Sequence, residues 1–221
     1  MNRVLIVVVA LMMSSTAMAQ QNSRDDMWEF GLLLNNIGSV KLDGANGSVI
    51  DTESTTGWGL TLGYNFNSHW ALSGELAWAS PDYEALIVPD DGFGNPGTPE
   101  LIRHELSLFS YSFKGTFNLI DGPLTPYAEL GLGWTEVDSN IASQPPITGC
   151  WWDPWWGYIC DTFYSTYSKT RETYSGALGV RWDLDNGMSL KGSYGLMQVS
   201  TAKSTDDADL EYFRFDLAWR F

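Results

Sequence analysis

From residue 28 onward the chain repeats one pattern: short blocks in which large apolar residues alternate with small or polar ones. Residues 56–66 show it most clearly. Trp58, Leu60, Leu62, Tyr64 and Phe66 fall on one side, and Gly57, Gly59, Thr61, Gly63 and Asn65 on the other. A period of two is that of a β-strand, whose successive side chains point to opposite faces. Seven further blocks, at 28–35, 70–78, 109–119, 127–135, 174–184, 188–196 and 212–221, follow the same rule. A helical period fits none of them better. The expected fold class is all-β, with one greasy and one small, polar face to each strand.

A soluble β-sandwich also alternates, and two features decide against it. The bulky face carries large aliphatics, with Trp, Tyr and Phe near the strand ends; the other face carries Gly, Ser, Ala and charges. The small, ionic face suits a narrow interior, and the bulky face suits lipid with aromatic girdles at both interfaces. The connections also alternate in length. Those at 67–69, 120–124 and 185–187 are short, and those at 41–55, 80–103, 136–171 and 200–210 are long. The last short one contains Asn186-Gly187, a strong hairpin signal. Short turns at one end and long loops at the other are the pattern of a bacterial outer-membrane barrel. Hydrocarbon tolerates no open sheet edge, so the eight strands must close. The expectation is a closed eight-stranded antiparallel up-and-down transmembrane β-barrel. It would sit in the cell outer membrane of a Gram-negative bacterium, with both termini periplasmic.

Two segments then resemble a known family. Thr125-Pro126-Tyr127-Ala128-Glu129-Leu130-Gly131-Leu132-Gly133-Trp134 is similar to the fifth strand of the OmpA/OmpX-type eight-stranded outer-membrane barrels. The terminal alternation of Phe213, Phe215, Leu217, Trp219 and Phe221 resembles the signal read by the barrel-assembly machinery. The resemblance covers 28–221. Larger members of that family add a periplasmic peptidoglycan-binding domain, and that role is not expected here.

Ahead of the barrel, residues 1–19 read as a secretory signal peptide. Arg3 opens it, an apolar run follows, and Ala17-Met18-Ala19 forms the cleavage site. Residues 20–27 are then a short N-terminal segment. No later stretch has the ~20 consecutive apolar residues of a transmembrane helix. Twelve Lys and Arg stand against 27 Asp and Glu, a formal charge of -15, which excludes a nucleic-acid partner.

The inward face carries Glu29, Glu75, Lys114, Glu129, Arg181, Asp183, Lys191, Arg214, Asp216 and Arg220. Eight strands leave an interior just wide enough for side chains to fill. Counting from the short turns predicts three pairs: Glu75 with Lys114, Glu129 with Arg181, and Lys191 with Asp216. The network, Arg214 included, reads as a salt-bridged plug; a gated path for ions or small solutes is the alternative.

The long segments are acidic and read as external loops. Their carboxylates suit a solvated rim, or divalent cations bridging to outer-membrane lipids and lipopolysaccharide. The third carries Cys150 and Cys160, an exported pair expected to form a disulfide worth ~3 kcal/mol. Between them lie Trp151, Trp152, Trp155, Trp156 and Tyr158. These aromatics read either as rings packed on one another or dipped into the interface, or as a tip that binds a surface or host ligand.

Catalysis finds little support. The two histidines are His69, in a short turn, and His104, three residues from Ser107. That spacing puts His104 and Ser107 on opposite strand faces. No catalytic residue, cofactor or metal site is expected. The leading reading is a non-enzymatic outer-membrane barrel with a structural or surface-interaction role. A small pore is the runner-up, and a lipid-modifying enzyme through His104 the third.

Overall fold

The computed structural model describes residues 24–43, 47–88, 97–145, 147–163, 165–201 and 207–221. The strands, in chain order, are β1 (Met27–Ile37), β2 (Val40–Asp43), β3 (Val49–Thr52), β4 (Thr55–Asn65), β5 (Trp70–Ala79), β6 (Asp82–Ile87) and β7 (Glu100–Glu105). They continue with β8 (Ser107–Asn118), β9 (Leu124–Ala142), β10 (Ile147–Asp153), β11 (Gly157–Phe163), β12 (Thr166–Asp183), β13 (Met188–Val199) and β14 (Ala208–Arg220). The expected 1–19 leader lies outside the described residues.

Eight of these strands close a barrel in the order β1-β4-β5-β8-β9-β12-β13-β14 and back to β1. Each corresponds to one alternating block of the sequence. Every neighbour is antiparallel and adjacent along the barrel meander, and closure pairs Glu29 with Arg220 through to Ile37 with Tyr212. No hydrogen-bonding edge of this sheet is left for hydrocarbon to meet.

The faces divide as their chemistry requires. Leu130 is 75% exposed and Leu178 71%, on the outside; Arg181 is 1% exposed and Asp216 2%, on the inside. A soluble fold would place these the other way round. Aromatic rings form two outer belts. Trp58, Trp78, Phe109, Tyr111 and Trp134 run ring to ring across four strands, with Trp58 and Trp78 stacked 4.7 Å apart. Near the opposite end Trp28 meets Tyr64 at 5.2 Å and Trp70 meets Phe117 at 4.7 Å. Girdles at both interfaces mark a transmembrane barrel.

The short turns are locally built. Asn67 Oδ1 accepts from the backbone N–H of His69 and Trp70. Gly187 takes the left-handed conformation at φ +79°, which the Asn186-Gly187 turn needs.

The interior glycines let side chains lie across them. A Cβ on Gly195 would sit 2.7 Å from the Tyr212 ring and 2.5 Å from the Gly176 carbonyl oxygen. Gly195→Val is expected to cost about 1–3 kcal/mol through overpacking. A lowered midpoint of urea unfolding in lipid vesicles, followed by tryptophan emission, would register it; an unchanged midpoint would show that the wall yields.

The long segments are more ordered than the sequence suggested. β2, β3, β6 and β7 pair into a separate four-stranded sheet from the first two of them. Thr52 ties it, its hydroxyl accepting from Val40 N–H and donating to the Val40 carbonyl. In the third, β9 and β12 continue past the barrel, and β10 and β11 form a hairpin. Leu106 falls between β7 and β8, and its N–H bonds the Pro81 carbonyl.

Candidate functional site

Two features carry chemistry: the ionic lumen and the tip of the third long segment. The lumen holds two clusters. In the one nearer the long segments, Lys114 Nζ lies 3.0 Å from Glu75 and 3.3 Å from Glu129. Arg214 binds Glu75, lies 3.6 Å from Glu129, and grips Asp216 from two nitrogens, the closest at 2.6 Å. Thr116 donates to Glu129, and the Lys114 ammonium sits 5.9 Å from the centre of the Tyr212 ring. In the cluster nearer the short turns, Glu29 accepts from Lys191 and from Arg181, the latter at 2.6 Å. Arg181 also donates to Asp183 at 2.9 Å. Buried charges persist only when paired, because an unpaired one costs several kcal/mol.

One of the three expected pairs forms. Glu75 meets Lys114, on neighbouring strands. Glu129 and Arg181 do not meet. Register sets Glu129 opposite Ala177 and Arg181 opposite Thr125. That separates them by four residues, about 13 Å along the strand. Lys191 and Asp216 do face each other in register. Yet Asp216 is claimed by Arg214, two residues away on the same face, and Lys191 reaches Glu29 instead.

Arg24 escaped the sequence reading. It is 3% exposed, stands 3.6 Å from Asp183, and donates to the Gly122 carbonyl in a short turn. It precedes the first alternating block, so no periodicity marks it. Its neighbour in this corner, Arg220, lies 3.9 Å from Asp183 and donates to the Leu184 carbonyl.

The tip of the third long segment is the β10–β11 hairpin. Cys150 and Cys160 face each other in register and are joined by a disulfide. Trp152 and Tyr158 form the next cross-strand pair but one. Asp153 Oδ1 accepts from the backbone of Trp155 and Trp156, and Gly157 takes φ +78°, so the turn is fixed by its own residues. Trp152, Trp155, Trp156 and Tyr158 are 68–86% exposed. The Trp151 side chain lies outside the described residues. Elsewhere in the outer sheet, Tyr83 is buried and donates to the Ser139 carbonyl, and burial pushes its phenol above the ordinary range.

Among the described residues the histidines form no Ser–His–carboxylate triad. His104 is on β7 beside Tyr83, and Ser107 opens β8, its hydroxyl accepting from Asn140. His69 lies 3.0 Å from Ser68 Oγ and 3.5 Å from Asp121, but both contacts fall on Nδ1. A triad uses one ring nitrogen for the nucleophile and the other for the carboxylate. Among the described residues no three His, Cys, Asp or Glu side chains are grouped to hold a metal ion.

A closed eight-stranded barrel with a greasy belt, two aromatic girdles and an ionic lumen defines an outer-membrane β-barrel. The chain belongs to the Outer membrane protein beta-barrel domain family, whose match spans residues 7–221. That family is one of Gram-negative outer membranes. A comparison with curated proteins finds no match. Among solved structures, the chain is similar to outer membrane protein OprG from Pseudomonas aeruginosa: TM-score 0.53, 12% identity, 89% of this chain and 96% of that one covered. It is also similar to Neisserial surface protein A: TM-score 0.51, 11% identity, with 88% and 97% covered. Ail, the attachment invasion locus protein of Yersinia pestis, solved with the heparin analogue sucrose octasulfate, gives TM-score 0.48 and 14% identity, with 89% and 99% covered. At such identities the likeness speaks to the fold.

Proposed function

We propose that this protein is a non-enzymatic surface-interaction barrel, its lumen closed by ion pairs and its ligand contact made by the β10–β11 tip. The observation that carries this reading is the tip itself. Four large aromatic side chains stand in solvent on a hairpin cross-linked midway along its strands. Exposed aromatics in a fixed frame lose little entropy on contact and bury large areas, which is how binding hot spots are built.

The rest of the molecule fits that role. Every acid of the two lumen clusters has a cationic partner, which favours a plug over a conducting path. The leader at 1–19 directs export, and the short turns and both chain ends face the periplasm. Outward-facing Phe213, Phe215, Leu217 and Trp219 lie on the closing strand and Phe221 directly follows it, as a signal for the assembly machinery would. The acidic outer segments are offered to lipopolysaccharide phosphates through divalent cations.

Two measurements test the reading. Purified protein in a planar bilayer is expected to show no steady openings; regular single-channel steps would overturn the plug. Bacteria displaying Trp155→Ala/Trp156→Ala are expected to bind cultured epithelial cells several-fold less than those displaying the natural chain. Cys150→Ser/Cys160→Ser should lie between the two. Equal binding by all three would remove the tip from the function.

A further inference from the structure

The inner face of the barrel changes character toward its outer end. Below, inward positions are mostly charged, polar or small, with Leu33 a buried aliphatic among them. Above the Arg214 cluster the lining turns aliphatic, with Ile37, Leu108, Val199 and Leu210 of the barrel and Val40 and Leu42 of β2 enclosing a chamber of about 420 Å³. Ile37, Val199, Ala208 and Leu210 form the buried apolar cluster of its wall. Its floor is polar, at Glu75, Ser110 and Thr135. A void of about 40 Å³ beneath shares that floor and ends at Lys114 and Arg214.

An aliphatic chamber at the mouth of a polar barrel is out of place unless something apolar fills it. Water there gains few hydrogen bonds, and its displacement by hydrocarbon is favourable. The volume falls in the usual range of a small-molecule site. It suits one hydrocarbon chain, not the several of a lipid A.

The rim says what head the chain carries. Lys169 and Arg171 both line the chamber, on β12. Among the described residues neither is in an ion pair, whereas Arg103 of the outer sheet is held by Glu84 at 2.6 Å. Two acids also line the chamber. Glu75 is engaged by Lys114 and Arg214, and Glu53 belongs to the connection between β3 and β4. In a chain of charge -15, unengaged cations beside an apolar chamber call for an anion.

We infer that the outer chamber of the barrel binds a single-chain anionic amphipath of the fatty-acid class, its hydrocarbon tail among Ile37, Leu108, Val199 and Leu210 and its carboxylate at Lys169 and Arg171. The site shares no residue with the aromatic tip, so it is independent of the role assigned there.

The test uses the full barrel in lipid nanodiscs and the fluorescent fatty acid cis-parinaric acid, with empty nanodiscs as the measure of partition into lipid. One saturable site per barrel is expected. Oleate should displace the probe, and oleyl alcohol and oleylamine should do so at least tenfold less well. Lys169→Glu/Arg171→Glu should weaken binding at least tenfold, and Ala208→Phe, which fills the chamber, should abolish the saturable component. Trp155→Ala/Trp156→Ala should bind as the natural chain does. Correct folding of each variant is read from its heat-modifiable gel mobility. If Ala208→Phe fails to fold, the rim variant and the head-group series still decide the matter. No saturable component in the natural chain overturns the site. Equal displacement by the alcohol, or full binding by the reversed rim, overturns the role given to the two cations.

Discussion

Arg214→Leu should lose about 3–5 kcal/mol of stability in lipid vesicles, because it strands carboxylates inside the barrel. Arg214 touches Glu75, Glu129 and Asp216, and without it Lys114 alone faces Glu75 and Glu129. Arg214→Lys keeps the charge but not the planar fork that grips Asp216 while reaching Glu75, so its loss should be intermediate. Urea unfolding followed by tryptophan emission measures both. A triple variant, Arg214→Leu with Glu75→Gln and Asp216→Asn, removes the charge along with two of its partners and should recover much of the loss. If the single and triple variants unfold alike, the cluster's cost lies in packing and not in stranded charge.

Leu130→Arg is expected to be the second large effect. Leu130 is 75% exposed midway along the membrane-spanning part of β9, where the surroundings are hydrocarbon. Arginine at a bilayer midplane costs about 2–4 kcal/mol on a barrel's lipid face. The same substitution at Trp152, on the outer tip, should cost nothing measurable in the same assay. The contrast isolates the lipid term from any effect of the arginine itself. Equal losses at the two sites would mean that the greasy face is not in contact with acyl chains.

Much of this architecture was legible because lipid enforces a simple rule. Alternation such as Trp58-Gly59-Leu60-Thr61-Leu62 states which face each residue takes, and eight such blocks fix the strand count. Alternation does not state height or direction across the lumen. Glu129 and Arg181 therefore looked like partners, although register puts them four residues apart. Lys191 was seen to face Asp216, yet the chord of the barrel that takes it to Glu29 is visible only in three dimensions. Arg24 lies before the first block, where no rhythm reveals it. The sheet of β2, β3, β6 and β7 went unread because segments such as Val40-Lys41-Leu42-Asp43 are too short to show a period. The chamber did leave a trace. Leu108 is an aliphatic residue in the inward phase, just where neighbouring inward positions are serine, and that irregularity marks the change in the lumen's lining.

The length of β9 also sets a distance. From Trp134, in the girdle nearer the long segments, the strand runs eight residues further to Ala142, at most about 26 Å at the rise of an extended chain. It is paired with β12 as far as Asp138 and again at Ala142, across an irregularity at 139–141, so it behaves as a mast with one joint and not as a tether. Under the role proposed for the tip, such a mast sets a fixed grasping height. A cell coated with sugars taller than the mast would bury the tip and turn its contacts off, while one that sheds its coat would bring the same tryptophans to the front.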